Sequence, residues 1–360
     1  MSRNEYPHIK LINPKLKILL AIDGIKMFDW HPFDDLIAIS SPSTIKKHFF
    51  YIYDYKTTKT HKVISQNTTI TSISWNHKGN RVVTSSDDGY IKLWDKSGSF
   101  INSLHSEYHW IRDVRWAPND KFLLSCSGSS MHNGGVYLWS KDINLIGNIS
   151  KNTHYVDWHP NGDNFVVVKG GQRISNNAIN LWNTDGFHMH SFEPIPTVNK
   201  NAWRAFWSKD GSTLAVVSLD NILWLWDYNG SYIGNIPFDS RWSWNHMIDW
   251  NPLNNMIASP YENTIQIWDK LSLVMKLEGH KSGICSIKWN PEGNILASGS
   301  ADNTIRLWDL SGKCISILDG HSDDIMDISW SSDGKKIVSA SRSYETFIWL
   351  LEEQEEINKS

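Results

Sequence analysis

Short apolar stretches that end in tryptophan recur along the chain, and each is followed by a turn rich in Pro, Asn, Asp and Gly. DVRWAPND, YVDWHPNGD and SIKWNPEGN are three examples. The tryptophans of this first series are Trp30, Trp75, Trp116, Trp158, Trp207, Trp250, Trp289 and Trp330. Neighbouring members lie 39 to 49 residues apart. Self-similarity at such a period indicates a repeat protein built from one supersecondary unit.

A second series of tryptophans follows the first about 20 residues later in each unit, in stretches such as IKLWD and IRLWD. Its members are Trp94, Trp139, Trp182, Trp226, Trp268, Trp308 and Trp349, and Tyr53 takes this place in the first unit. In each unit, one apolar stretch lies between the residues of the two series and another follows the residue of the second series. Each unit therefore predicts four short strands, which is the composition of a β-propeller blade, and eight units predict eight blades.

The repeat resembles the WD40 family, most clearly in GHKSGICSIKWNPEGNILASGSADNTIRLWD, from Gly279 to Asp309. The Gly-His pair of that family appears at Gly279-His280 and again at Gly320-His321. The resemblance covers nearly the whole chain. It implies an all-β fold, an eight-bladed WD40 β-propeller with four antiparallel strands in each blade.

The two ends of the chain predict how the ring closes. The last unit offers only three strands, DIMDISW, KKIVSAS and ETFIWL, before the polar tail 351–360. The first unit is preceded by a spare strand, KLKILLAI, at residues 15–22. We expect this strand to complete the last blade and cover its open edge. The expected organisation is an N-terminal extension at 1–14, the propeller at 15–350 and an acidic tail at 351–360.

The resemblance also implies a structural hydrogen-bonded tetrad in the seventh blade, formed by His280, Ser298, Asp302 and Trp308. A histidine and an aspartate near a serine could suggest catalysis. The repeat position and the tryptophan favour a structural role, because a buried indole N–H needs an acceptor. In the eighth blade Ser343 stands at the place of the aspartate.

Composition excludes several functional classes. The formal net charge is −3, and the three cysteines are widely spaced, which suits a reducing compartment. The chain has no apolar run long enough to span a bilayer, no nucleotide-binding or hydrolase motif, and no metal-ligand spacing among its 15 histidines. We expect an intracellular, cytoplasmic protein, with the nucleus also open, that has no enzymatic activity, cofactor or metal.

Some tryptophans outside the two series indicate a binding surface. Trp110 and Trp244 each lie six residues before a first-series tryptophan, where other units have small or polar residues. The resemblance places this position at the rim of the top face. Tryptophan, tyrosine and arginine dominate interface hot spots. The candidate site is Trp110, Arg173, Arg241, Trp242, Trp244, Tyr261 and Arg342.

The sequence thus predicts a non-catalytic scaffold, itself monomeric, that binds a peptide or protein partner on its top face within a larger assembly. A tryptophan at the junction of a loop and a strand can also simply cap the core beneath it. One alternative function is RNA or DNA binding through the same aromatic and arginine side chains. A less favoured one is a small-molecule or metal site in the central channel. Trp224 has no explanation at this level.

Overall fold

A computed structural model of the protein describes residues 18–23, 27–40, 48–57, 59–66, 68–106, 110–127, 134–151, 153–169, 179–192, 202–218, 221–239 and 248–351. These residues form eight four-stranded antiparallel sheets and contain no helix. The predicted all-β, eight-bladed propeller is confirmed.

The strands follow the chain from the inner to the outer edge of each blade. In the first four blades they are β2 (Met27–Trp30), β3 (Leu36–Ser40), β4 (His48–Asp54), β5 (Lys59–Gln66), β6 (Ile70–Trp75), β7 (Arg81–Ser86), β8 (Tyr90–Asp95), β9 (Phe100–His105), β10 (Ile111–Trp116), β11 (Phe122–Ser127), β12 (Gly135–Ser140), β13 (Leu145–Lys151), β14 (Thr153–Trp158), β15 (Asn164–Lys169), β16 (Ile179–Asn183) and β17 (His188–Ser191). In the last four they are β18 (Ala202–Trp207), β19 (Thr213–Ser218), β20 (Ile222–Asp227), β21 (Tyr232–Pro237), β22 (Asp249–Trp250), β23 (Ile257–Tyr261), β24 (Thr264–Asp269), β25 (Ser272–Leu277), β26 (Ile284–Trp289), β27 (Ile295–Ser300), β28 (Thr304–Asp309), β29 (Cys314–Asp319), β30 (Ile325–Trp330), β31 (Lys336–Ser341) and β32 (Glu345–Leu350).

The first strand of the chain, β1 (Ile18–Asp23), closes the ring as predicted. It pairs antiparallel with β32, so the eighth sheet has the order β1-β32-β31-β30. In this register Ala21 lies opposite Phe347 and Asp23 lies opposite Glu345. The sequence predicted the strand at 15–22, of which residues 15–17 lie outside the described residues.

The hydrophobic core lies between consecutive blades, and the second strand of each blade shows why. In β7 and β11 every residue after the first is buried, because a neighbouring blade covers each face of the sheet. Strands covered on both faces have apolar or small residues without alternation, as in RVVTSS and FLLSCS. The outer strands, such as β9, are mostly exposed.

Buried indole groups are satisfied by hydroxyls on the adjacent strand in five blades. The Nε1 groups of the second-series tryptophans donate to the Oγ atoms of serine or threonine in the pairs Trp94–Thr84 (3.0 Å), Trp139–Ser125 (2.8 Å), Trp268–Ser259 (3.2 Å), Trp308–Ser298 (2.8 Å) and Trp349–Ser339 (2.7 Å). Val167 and Val216 occupy the hydroxyl position in blades four and five. In blade five the buried Trp224, which the sequence left unexplained, instead donates to Ser218 Oγ at 3.0 Å.

In blade seven the four tetrad residues form a continuous chain of hydrogen bonds. His280 Nε2 lies 2.8 Å from Ser298 Oγ, and His280 Nδ1 lies 2.9 Å from Asp302 Oδ2. Because Ser298 Oγ accepts from Trp308, its own proton is directed at His280 Nε2, which leaves Nδ1–H to donate to Asp302. Interactions with His280 and Thr304 lower the pKa of Asp302 even though burial opposes the charged form.

Blade eight has a related but looser arrangement, with a carboxylate from a residue that the sequence did not indicate. His321 Nε2 lies 2.7 Å from Ser339 Oγ, as in blade seven. The carboxylate comes from Glu345 rather than from position 343, since Glu345 Oε2 accepts from the Ser322 N–H at 2.8 Å and lies 3.6 Å from His321 Nδ1. The longer side chain reaches the imidazole from two residues further along the chain.

In several blades, a side chain in the turn after the first-series tryptophan contacts the backbone of the corresponding turn in the next blade. His31 Nε2 lies 2.7 Å from the carbonyl oxygen of Gly79, and Asn251 Nδ2 donates to the carbonyl oxygen of Gly293 at 2.7 Å. Gly79 has a φ of +67°, and a Cβ atom there would lie 2.4 Å from the His31 ring. Only glycine fits this turn without displacing the imidazole.

Candidate functional site

The innermost strands carry a β-bulge near the point where they enter the channel. In β10 the register shifts between Ile111 and Asp113, and equivalent shifts occur in β6, β14, β18, β26 and β30. A bulge places two residues opposite one and redirects a side chain. Arg112 and Trp203 occupy this extra position in blades three and five.

These side chains help to line a cavity of about 520 Å³ at the end of the channel where the chain enters the innermost strands. We call this cavity the upper cavity and this end of the channel its upper mouth. Its wall includes an aromatic and cationic group from blades three to five, namely Trp110, Arg112, Arg115, Tyr155, Trp203 and Arg204. Asp29 and Asp327 come from blades one and eight. A cavity of this size can hold a few side chains of a partner.

Trp110 lies on the wall of the upper cavity with 51% of its surface exposed. Its backbone has a φ of +71°, and its N–H donates to the carbonyl oxygen of Asp87 at 3.1 Å. A positive φ is uncommon for a residue other than glycine, and such strain is concentrated at functional sites. The backbone thus holds a large aromatic side chain partly in solvent at the channel mouth.

Two guanidinium groups contact the ring of Tyr155. The Cζ atoms of Arg115 and Arg204 lie 5.5 Å and 5.1 Å from its centroid. Arg115 also donates from Nε to Asp113 Oδ2 at 2.8 Å and lies 3.5 Å from Asp157 Oδ1. Burial opposes the charge of Arg115, but the neighbouring carboxylates raise its pKa above the ordinary value. Burial lowers the pKa of Arg204, and the charge of Arg115 acts in the same direction.

Acidic side chains line the opposite wall and the middle of the channel. Asp29 and Asp327 border both the upper cavity and a lower one of about 340 Å³. Asp29 Oδ2 accepts from the Trp75 N–H of the next blade at 2.7 Å, and burial raises the pKa of Asp29 to about 7. Asp249 makes the same contact to the Trp289 N–H at 2.8 Å. These carboxyl groups join consecutive blades around the channel.

The structure brings only part of the predicted site to the upper cavity. Trp110 lines it. Tyr261, at the end of β23, and Arg342, which donates to Asp324 Oδ2 at 3.0 Å, are described but are not among its lining residues. Arg173, Arg241, Trp242 and Trp244 lie outside the described residues.

The site predicted from the sequence does not include Arg112, Tyr155 or Arg204. The signal that could have found Tyr155 and Arg204 is their place three residues before a first-series tryptophan, on the face of the strand that points into the channel. Arg112 could not be found in this way, because the bulge alters the alternation at its position. The innermost strands therefore carry the cationic wall.

Neither a metal site nor a membrane-spanning helix is present in the described part of the chain. No group of three or more His, Cys, Asp and Glu side chains there could hold a metal ion. None of the elements between residues 18 and 351 that the structure describes is a helix long and apolar enough to cross a bilayer.

Comparison with known families gives two matches. The family described as WD domain, G-beta repeat matches residues 271–309 and 312–349. The family described as eukaryotic translation initiation factor eIF2A matches residues 37–195.

Solved structures extend the likeness over the whole ring. The C-terminal WD40 domain of Sif2 superposes with a TM-score of 0.72 over 94% of this chain and 99% of that domain, at 18% identity. The chain has the fold of a WD40 β-propeller. Sqt1 from Chaetomium thermophilum is another WD40-type neighbour, with a TM-score of 0.76 over 92% of this chain and 97% of Sqt1, at 14% identity. A further structure, with a TM-score of 0.72 at 14% identity over 91% of this chain and 97% of Sqt1, shows Sqt1 bound to the N-terminus of ribosomal protein L10.

Curated relatives are longer than this chain. The nuclear distribution protein PAC1 of Arthroderma otae is 24% identical over 300 residues, which cover 72% of this chain and 63% of PAC1. The WD repeat-containing protein AAC3 of Dictyostelium discoideum is 22% identical over 67% of this chain and 46% of its own length. This WD40 chain thus spans less than two thirds of the length of either relative.

Proposed function

We propose that this WD40 scaffold is non-catalytic and binds a peptide or protein segment at the upper mouth of its channel, within a larger assembly. The observation that carries the proposal is the conformation of Trp110. Its left-handed backbone keeps an indole ring half exposed beside a cavity, where a packing role alone would favour burial. Exposed tryptophans next to a pocket are the residues that most often dominate binding energy.

The upper cavity suits side chains of a partner rather than a flat contact. Trp203 and Tyr155 give it aromatic walls, and the arginines of blades three and five give it polar groups that can fix an orientation. An apolar wall with a few convergent polar groups is the usual composition of a binding site. Trp110 at the rim then contacts the segment where it leaves the cavity.

The complex of Sqt1 with the N-terminus of ribosomal protein L10 supports this mode of binding. It shows that a propeller of this fold holds a terminal segment of another chain. At 14% identity the likeness concerns the fold alone, so the partner of Sqt1 is not carried over.

Affinity capture with Trp110→Ala tests the proposal. The matched control is Leu253→Ala, which removes an apolar side chain that is 76% exposed in the turn after Trp250, at the other end of the channel. We expect Trp110→Ala to reduce recovery of the partners about tenfold or more, since truncating a hot-spot residue costs about 2 kcal/mol or more. Leu253→Ala is expected to retain them.

Both variants are first compared with the wild type by thermal unfolding, so that loss of partners is read only from folded protein. Equal recovery of the same partners by Trp110→Ala and the wild type would contradict the proposal. The remaining predicted residues, Arg173, Arg241, Trp242, Trp244, Tyr261 and Arg342, are part of it as a wider rim and are tested in the same assay.

A further inference from the structure

Arg112 projects from the β-bulge of β10 and lines the upper cavity two residues after Trp110. Its guanidinium makes no hydrogen bond or ion pair with any other described residue. Its neighbour Arg115, on the same strand, is paired with both Asp113 and Asp157. Arg115 therefore has ion-pair partners and Arg112 has none among the described residues, although both line the same wall of the cavity.

The acidic side chains of the upper cavity already have internal donors. Asp113 accepts from Arg115 Nε at 2.8 Å and from Ser72 Oγ at 2.8 Å. Asp29 accepts from the Trp75 N–H at 2.7 Å, and Asp327 accepts from the Ile328 N–H at 2.8 Å. None of these three carboxyl groups is hydrogen-bonded to Arg112, so the cavity does not itself neutralise this guanidinium.

A second cation strengthens the positive character of this wall. Arg204 enters the cavity from blade five and contacts the ring of Tyr155, as Arg115 of blade three also does. Burial lowers the pKa of Arg204, and the charges of Arg115 and Arg112 act in the same direction, whereas Tyr155 and Asp113 oppose them. An anion bound between Arg112 and Arg204 would relieve this repulsion between like charges in a partly desolvated site.

We propose that Arg112 and Arg204 bind a carboxylate of the partner, on an Asp or Glu side chain of the segment that Trp110 holds at the upper mouth. This inference rests on the proposed function and adds the chemistry that the segment must carry. Planar guanidinium groups match a carboxylate and form charge-assisted hydrogen bonds with it. A monoanion also suits this cavity better than a phosphate, because Asp113 and Asp327 repel a dianion more strongly.

The test uses an array of 12-residue peptides, blocked at both termini, with the purified full-length protein. Each acidic peptide has a twin in which Asn and Gln replace Asp and Glu, and a second twin in which phosphoserine replaces the acidic residue. A single-stranded oligouridine probe is included. We expect acidic peptides to bind about tenfold to a hundredfold more tightly than their amide twins, as charge-assisted hydrogen bonds do.

Arg112→Gln and Arg204→Gln identify the residues that discriminate. Each is expected to weaken the acidic peptides to the level of their amide twins, whereas Arg112→Lys retains part of the preference. The matched control is Arg81→Gln, which removes a guanidinium that pairs with Asp142 at 2.7 Å outside the upper cavity. Thermal unfolding confirms that each variant is folded. The Arg112 side chain has no partner among the described residues, so its replacement is expected not to reduce stability.

The outcomes separate this inference from the proposed function. If peptides bind through Trp110 but acidic and amide twins bind equally, or if Arg112→Gln keeps the preference, the carboxylate site is wrong and the proposed function stands. Tighter binding of the phosphoserine twins or of oligouridine replaces the carboxylate with a phosphate and overturns the inference. If no peptide binds the wild type, both proposals fail.

Discussion

At the scale of single residues, the buried polar groups of the blade-seven tetrad form one chain in which each member has a partner. Ser298 accepts from Trp308 and contacts His280, which in turn contacts Asp302. A buried polar group without a partner costs about 1–3 kcal/mol, so these residue types recur at fixed places in the repeat. Glu345 shows that the requirement is for a carboxylate at the imidazole and not for a particular sequence position.

The histidine of blade eight makes stability depend on pH. Burial lowers the pKa of His321 below its ordinary value of 6.5, so the unfolded chain binds a proton near pH 6.5 while the folded protein does not. The contribution of neutral His321 is therefore complete above pH 6.5 and is lost as the pH falls below it. The lowered pKa of Glu345 adds a further loss below its ordinary value of 4.5.

We expect His321→Asn to flatten this dependence. Urea unfolding between pH 7 and pH 5 should show a fall in unfolding free energy for the variant that is about 1 kcal/mol smaller than for the wild type. His105→Asn, at an exposed position of β9, is the control and should keep the wild-type slope. Identical slopes for His321→Asn and the wild type would show that this imidazole does not stay neutral on folding.

Residues whose place is set by the repeat could be predicted from the sequence. Residues whose place is set by a local change in the backbone could not. The tryptophans, the tetrad residues and the position of Trp110 follow from comparing one unit with the next. Arg112 does not, because a bulge changes which way its side chain points and no alternation in IRDVRW reveals the bulge. Glu345 was missed because it reaches the histidine from a shifted position.

At the scale of elements, each blade depends on pairing and on contacts with its neighbours. The outer strand of blade eight comes from the other end of the chain, so β1 and β32 join residues more than 300 positions apart. Strand identity could be predicted from apolar runs between turn residues. Exact bounds could not, since the run at 15–22 is apolar over most of its length and the observed strand is Ile18–Asp23.

Deletion of residues 1–22 tests the closure of the ring. Without this segment β32 loses the backbone partners at its free edge, and an exposed edge strand favours aggregation. We expect insoluble protein, or a soluble fraction that unfolds at a clearly lower temperature. Deletion of residues 1–14 alone, which the sequence places before the strand, is the control and should leave the unfolding temperature close to that of the wild type. An unchanged unfolding temperature after the longer deletion would refute the closure.

At the scale of the whole molecule, the ring brings residues from distant units together at its axis. The cationic wall comes from blades three and five and the acidic wall from blades one and eight, with Asp29 and Asp327 bordering both cavities. The eight-bladed fold could be predicted from the sequence almost completely, because each blade repeats one pattern. The site could be predicted only in part, because function depends on where single blades depart from that pattern.

Site-specific photo-crosslinking tests the central claim, binding at the upper mouth, most directly. A photoreactive phenylalanine derivative is placed at Trp110, at Leu253 on the opposite face, or at Phe100 on the outer strand β9, all of which are exposed. The three proteins are irradiated in extract of the cells that produce the protein. We predict that position 110 forms a discrete covalent adduct with a partner and that positions 253 and 100 do not form it. An adduct of the same partner from position 253 or 100, with none from position 110, would contradict the account.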